Sequence, residues 1–201
     1  GVMADVDVFF GTFSKSFASL GGFVVADAAV INYLRHKTRT LIFSAGLPPA
    51  STASALEALR VMQRDHSLYE RLWDNVKFFK AGVEKLGYQT LGSTTPIVPL
   101  FIGSETLALR ICQEAFDLGL FATPAIYPAV PPGHALIRTS VTPIHTRVHL
   151  QAALDVLATI AERHPIPNVD PTTLPPARAI DFDEALAEHV LAASSMAKSR
   201  A

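Results

Sequence analysis

The chain has a single cysteine, Cys112, in 201 residues. That excludes an internal disulfide framework and any zinc site built from cysteines, and it fits a reducing compartment. Runs of Lys and Arg are missing, and 17 basic against 18 acidic side chains leave a net charge of −1, so the electrostatic footprint of a nucleic-acid binder is not there. No apolar stretch reaches the ~18 residues needed to cross a bilayer, because Lys15 interrupts the region from Phe9 to Val25. The first residues do not read as a basic-then-apolar leader, and Gly1 in place of Met reads as a processed chain or one that starts mid-protein. Charge of either sign is also scarce, at 17% of residues, below the usual ~25%. With 49% hydrophobic residues and a mean hydropathy of +0.29, the chain has too little polar surface for its size. The sequence therefore predicts that another subunit, or a further part of the same protein, covers much of its exterior.

The apolar pattern predicts short strands at Val6–Phe10, ending at Gly11, and at Phe23–Ala26 and Leu41–Phe43, each buried on both faces as in an α/β sheet. A helix from Ser51 past Met62 follows the Pro48-Pro49 boundary. A second helix puts Leu72, Val76, Phe79, Val83 and Leu86 on one stripe and stops at Gly87. Beyond it the pattern predicts strands at Tyr88–Leu91, Ile97–Ile102, Leu120–Ala122 and Ala135–Val141, a helix over 105–118, and a closing helix from Arg147 to Arg163 capped by Thr146. This is a small α+β domain. Cys112 shares the inner helix face with Ala108, Ile111 and Ala115 and reads as a core residue without chemistry. Five prolines between Pro165 and Pro176 predict an extended linker, and Phe182, Leu186, Val190 and Ala193 predict a terminal helix.

The chemistry is concentrated at Gly11-Thr12-Phe13-Ser14-Lys15-Ser16. A nucleoside-triphosphate loop needs glycines at positions occupied by Phe9 and Ser14, so that reading fails. What remains is a lysine just past a strand. If the extended geometry continued, Thr12 and Ser14 would put two hydroxyls on one side and Lys15 its amine on the other, offering a bound group phosphate donors and a nucleophile together. Such an arrangement suits pyridoxal 5'-phosphate; the alternative is an ordinary solvated lysine at a strand end.

The stretch Asp7-Val8-Phe9-Phe10-Gly11-Thr12-Phe13-Ser14-Lys15-Ser16-Phe17-Ala18-Ser19-Leu20-Gly21-Gly22-Phe23 closely resembles the cofactor-lysine segment of the α-oxoamine synthases, a branch of the fold-type I pyridoxal-phosphate enzymes. Further similar motifs follow in order: Leu41 to Pro49, Thr95 to Leu100, Thr123 to Pro131, and Leu136-Ile137-Arg138-Thr139-Ser140 with His145-Thr146. The resemblance covers residues 1 to about 163. It implies the C-terminal part of a fold-type I transferase: the end of the large-domain sheet over 1–50, linking helices and a small α+β C-terminal domain over 51–164, then a Pro-rich linker and terminal helix over 165–201. The upstream half, with the residues that stack on the cofactor ring and pair with its nitrogen, is not in the chain.

Carried over position by position, the resemblance implies that Lys15 holds pyridoxal 5'-phosphate as a Schiff base and acts as general base, while Thr12 and Ser14 bind the phosphate. It implies that Ser44 and Ala45 reach the phosphate of a neighbouring subunit's cofactor in a homodimer with shared active sites, and that Arg138 grips the amino-acid carboxylate. An arginine in a surface ion pair is the bland alternative for Arg138, and His145 reads as structural. The implied reaction joins an amino acid to an acyl-CoA thioester with decarboxylation. The wording around Lys15 leans to serine palmitoyltransferase-like activity in sphingolipid biosynthesis; Tyr127-Pro128 with Val130-Pro131 is also similar to glycine C-acetyltransferase, and 8-amino-7-oxononanoate synthase-like activity is a further alternative. A noncatalytic partner subunit is a reading of another class, and Lys15, which such partners commonly lack, argues against it. Its implied location is cytoplasmic, at most peripheral at the inner membrane surface.

Overall fold

In the computed structural model, residues 3–168 are described. The chain divides into two compact units, the first ending at Leu68 and the second beginning at Tyr69.

In the first unit, β1 (Val8–Thr12) and β2 (Gly22–Ala26) form a two-stranded antiparallel sheet with Val8 opposite Ala26 and Thr12 opposite Gly22. Gly11 stands opposite Phe23, whose ring lies where a side chain at position 11 would go, so a larger residue there would have to push the ring aside. Three helices follow: α1 (Ala28–Lys37), α2 (Arg39–Ile42) and α3 (Pro49–Arg64). Proline at the first turn of α3 costs no hydrogen bond, because that amide has no helical partner anyway.

Three expectations fail in this unit. β2 forms where expected but is not buried on both faces: Phe23, Val24 and Val25 are exposed. β1 runs two residues later than predicted and is not buried on both faces: residues alternate between half-buried and exposed, with Phe10 76% exposed. Leu41–Phe43 is not a strand. Ile42 N donates to Thr38 O and Phe43 N to Arg39 O, closing a short helix, because three apolar residues carry no period that separates strand from helix.

The second unit is built on α4 (Ser67–Lys85), which begins two residues before it, and on β3 (Ile97–Gly103), α5 (Glu105–Asp117), β4 (Thr123–Ala125), β5 (Ala135–Ser140) and α6 (Arg147–Arg163). Its sheet is antiparallel in the order β3-β5-β4. Val98, Leu100 and Ile102 of β3, with Ala135 and Ile137 of β5, meet Val76, Phe79 and Val83 of α4, Ile111 and Ala115 of α5, and Leu150, Leu154, Leu157 and Ile160 of α6 in one core. Alternate strand residues and one stripe of each helix supply it, as the period-two and period-3.6 patterns require. Cys112 is buried there as expected, and burial pushes its thiol up to about 11. Ser104 caps α5 by accepting from Leu107 N, and Thr146 caps α6 within a capping box with His149.

Two predicted strands move. Tyr88–Leu91 holds a single sheet-like bond, Phe101 N to Gln89 O, and then turns; Tyr88 is instead a core residue whose hydroxyl donates to Leu157 O at 2.9 Å, burial holding its phenol above the ordinary value. Leu120–Ala122 precedes rather than forms β4. Gly119, at φ +90°, reverses the chain after α5, and Leu120 N is spent on Ala115 O. The linker beyond Asn168 and the terminal helix lie outside the described residues.

Candidate active site

β1 delivers Thr12 to the edge of the hairpin, and there the chain bends. Phe13 N donates to Gly21 O (2.8 Å), Ser19 N to Phe13 O (2.9 Å) and Ala18 N to Lys15 O (2.9 Å), so residues 13–21 form a loop tied across its base. Phe13 packs edge-on to Phe17 at 5.2 Å between ring centres and also meets Phe23 at 5.7 Å. Ser19 Oγ donates to Ser51 O at 2.6 Å. Ala18 sits at φ +46°, a left-handed conformation that costs a non-glycine residue about 1–2 kcal/mol and is held by these bonds.

The expected alternation past Thr12 is therefore not what brings the hydroxyls together. Strand geometry ends at Thr12, and the bend over Phe13–Lys15 places Ser14 Oγ 2.9 Å from Thr12 Oγ1, while Ser14 N donates to Thr12 Oγ1 at 3.3 Å. Thr12, Ser14 and Lys15 are all exposed, and among the described residues the Lys15 amine has no hydrogen-bond or ion-pair partner. Ser44 and Ala45 lie in the exposed segment between α2 and α3. That segment runs on to Leu47, which packs against Gly21 at the foot of the Lys15 loop.

Arg138 belongs to the second unit. It sits at the centre of the sheet, between Pro99 of β3 and Thr123 of β4, with its side chain exposed. The ion-pair alternative is not realised: among the described residues it has no carboxylate partner. Next to it, Thr139 turns inward and donates to Val98 O at 2.6 Å, tying β5 to β3. Arg138 lines an open cavity of about 830 Å³ whose walls include Phe79, Leu120, Leu150 and Val156.

One residue that the sequence reading missed organises the far end of β5. Asn75 of α4 is buried, and its amide donates to Thr142 O (3.1 Å) and His145 O (2.8 Å). His145 Nδ1 accepts from Thr142 N at 3.2 Å, which makes it structural, as expected, and puts the proton of the neutral ring on Nε2. The signal for Asn75 was available: it lies three residues after Leu72 and four before Phe79, on the apolar stripe, where a polar side chain must find partners.

A lysine bend between two antiparallel strands, linking helices, and a three-stranded α+β unit with an arginine at mid-sheet make up the later part of a fold-type I pyridoxal-phosphate transferase. Solved structures with this arrangement are a serine palmitoyltransferase carrying its pyridoxal-phosphate internal aldimine (TM-score 0.75, 32% identity, 81% of this chain and 42% of that one) and the Sphingomonas wittichii serine palmitoyltransferase (TM-score 0.75, 30% identity, 81% and 41%). The chain belongs to the aminotransferase class I and II family, which matches residues 1–157. It is 44% identical over 167 residues to the serine palmitoyltransferase of Bacteriovorax stolpii, covering 83% of this chain and 40% of the relative. It is 39% identical over 158 residues to the 8-amino-7-oxononanoate synthase of Thermoanaerobacter pseudethanolicus, covering 79% and 40%. Both relatives are α-oxoamine synthases, so the branch expected from the motifs is borne out. The chain spans about two fifths of the length of these relatives.

Proposed function

We propose that this chain is part of a pyridoxal-phosphate-dependent acyltransferase that condenses an amino acid, L-serine in the favoured reading, with an acyl-CoA thioester and releases CO₂, CoA and an α-amino ketone. The observation that carries the reading is the Lys15 loop: a lysine amine with no partner among the described residues, one position after Ser14, whose hydroxyl lies 2.9 Å from that of Thr12 in a bend tied at its base. The donor set fits the cofactor, since a phosphate monoester takes hydroxyl donors and an aldehyde takes a primary amine.

When bound, the cofactor supplies the electron sink that makes the amino acid's Cα proton acidic. Thr12 and Ser14 hold its phosphate through their hydroxyls. Lys15 anchors it through Nζ and, once displaced by the amino acid, takes the Cα proton at the same atom. Arg138 grips the carboxylate with a planar fork of donors, which fixes which bond at Cα is broken. Ser44 and Ala45 reach the phosphate held by a second subunit, so the working form is a homodimer with shared sites. The protein acts in the cytoplasm on the route to sphingolipids, any membrane contact being peripheral. No helix among the described residues is long and apolar enough to cross a membrane. Its similarity to 8-amino-7-oxononanoate synthases favours a second reading, 8-amino-7-oxononanoate synthase-like activity.

The test uses the full-length protein with its cofactor. Borohydride should fix the cofactor's mass on the peptide containing Lys15, and Lys15→Ala should lose both that adduct and CoA release from L-serine with palmitoyl-CoA. Turnover by Lys15→Ala sinks the role of Lys15; a clear preference for glycine with acetyl-CoA, or for a pimeloyl donor, moves the substrate reading.

A further inference from the structure

We propose that the groove between the turn after α5 and the first half of α6 is the docking site of this chain's own C-terminal segment, residues 182–193. Ile137 and Thr139 turn toward the helices and Arg138 away from them, so the groove meets β5 along its edge. β4 begins only at Thr123, opposite Arg138, and leaves Thr139 and Ser140 without a strand on that side. Phe79, Leu120, Leu150, Ala153 and Val156 wall the opening, which holds about 830 Å³. Leu118 and Phe121 stand at its lip, 42% and 76% exposed, and Phe121 packs edge-on against the equally uncovered Phe116 at 6.5 Å. An apolar opening with an apolar lip marks a surface that something covers.

Residues 182–193 fit this groove in pattern and in sign. Phe182, Leu186, Val190 and Ala193 recur at helical spacing, which as a helix makes an apolar stripe about 17 Å long. Asp183 borders that stripe, and Asp181, Glu184 and Glu188 fall on the opposite side, so the segment is acidic. The polar lining of the groove is its complement: Arg138 at the strand edge, His145, His149 and the hydroxyls of Thr123, Ser140 and Thr142, with no Asp or Glu. Thr142 Oγ1 is buried and has no hydrogen-bond partner among the described residues, so an occupant that brings an acceptor satisfies it. A second copy of the chain fits less well. Its groove presents the same donors, and a two-fold contact would set like against like.

The segment is also within reach. The chain leaves α6 against α5, where His164 Nε2 meets the Glu114 carboxylate at 3.0 Å, and it stays on the same unit through Ile166, packed on the core, and Asn168, whose Oδ1 accepts from Gln89 Nε2 at 3.3 Å. Residues 169–181, with Pro171, Pro175 and Pro176, span up to about 40 Å when extended. The way back along α6 is shorter, since its 17 residues make a helix about 25 Å long. Tethering of this kind gives an effective concentration of roughly millimolar, which favours the segment over a separate partner of equal fit. The segment lies beyond residue 163, where the resemblance to the α-oxoamine synthases ends, so the contact is an addition to the catalytic fold.

Two measurements on the full-length protein test this, and neither depends on turnover. In the first, hydrogen exchange is compared between the intact protein and a variant ending at Asn168. Amides in 118–123 and 147–156 should exchange roughly tenfold faster or more in the shortened protein, and those of β3 at an unchanged rate. Leu186→Asp, in the apolar stripe, should reproduce the change, whereas Glu188→Gln, on the opposite side, should not. Equal exchange with and without the segment overturns the proposal and leaves the groove to some other part of the protein. In the second, Leu186→p-benzoylphenylalanine is irradiated in dilute solution, a readout that holds even if the shortened variant fails to fold. Cross-links within one chain to peptides covering 118–123 or 147–156 are expected. Cross-links to those peptides between two chains assign the groove to a second copy and overturn the proposal, as do cross-links confined to other peptides.

Discussion

Arg138 is a cation at the middle of a sheet, next to an apolar cavity, with no counter-ion among the described residues. A protein gains nothing for its own stability from a charge placed so, which is why a substrate carboxylate is the natural partner. A charge-assisted hydrogen bond contributes roughly 1.5–3 kcal/mol, so Arg138→Ala should lower kcat/KM for the amino acid about ten- to a hundredfold. Cofactor absorbance should be retained. Arg138→Lys keeps the charge and loses the fork, and should recover only part of the loss. If the alanine variant instead loses cofactor or unfolds with no defect specific to the amino acid, Arg138 is structural. The position of Arg138 was legible because alternation along Ala135–Ser140 leaves it off the buried face. The pairing of Thr12 with Ser14 was legible only as a motif; a bend, not strand alternation, produces it, and a bend formed by backbone bonds to Gly21 and Ser19 has no period to read.

At the scale of elements, the long helices and the strands at Phe23–Ala26, Ile97–Ile102 and Ala135–Val141 were readable, and the three-residue apolar runs were not. α4 and α6 show a stripe repeated over several turns, and their capping residue or stopping glycine stands where the stripe ends. Three-residue apolar runs at Leu41 and Leu120 carry no such repetition, and the hydrogen bonds of a helix end and a glycine turn decided them instead. The element-level joint that matters most for the cavity is the one from α4 to the turn after β5, made by Asn75. Asn75→Leu would leave the Thr142 and His145 carbonyls without their donor, at a cost of about 1–3 kcal/mol. A fall in Tm on the order of 10 °C is expected for a unit of this size. Calorimetry showing a change under about 2 °C would mean that water replaces the amide at no cost.

At the scale of the whole molecule, the two units differ in kind. Nearly all the buried core belongs to the second, where three helices cover one face of the sheet. In the first, Ala55 is the one buried residue among those described, while Phe10 and Phe43 are 76% and 85% exposed and Val24, Val25, Leu41 and Ile42 also face outward. A two-stranded sheet with short helices and no core of its own does not hold its shape by itself. The shortage of charge in the composition predicts that much of the exterior is covered, and the apolar side chains exposed in the first unit are where such cover would fall. The 201-residue chain expressed alone should therefore behave as one folded unit with an unprotected arm. Hydrogen exchange should be slow for the core strands and helices between Tyr69 and Arg163, and at least a hundredfold faster for β1, β2 and α1. Limited proteolysis should leave a fragment beginning near Tyr69. Supplying the rest of the catalytic unit should bring protection to the first unit, together with the cofactor's absorbance. If β1 and β2 are already as protected as β3 and β5 in the chain alone, the first unit is stable without help and the Lys15 loop needs no partner to keep its geometry.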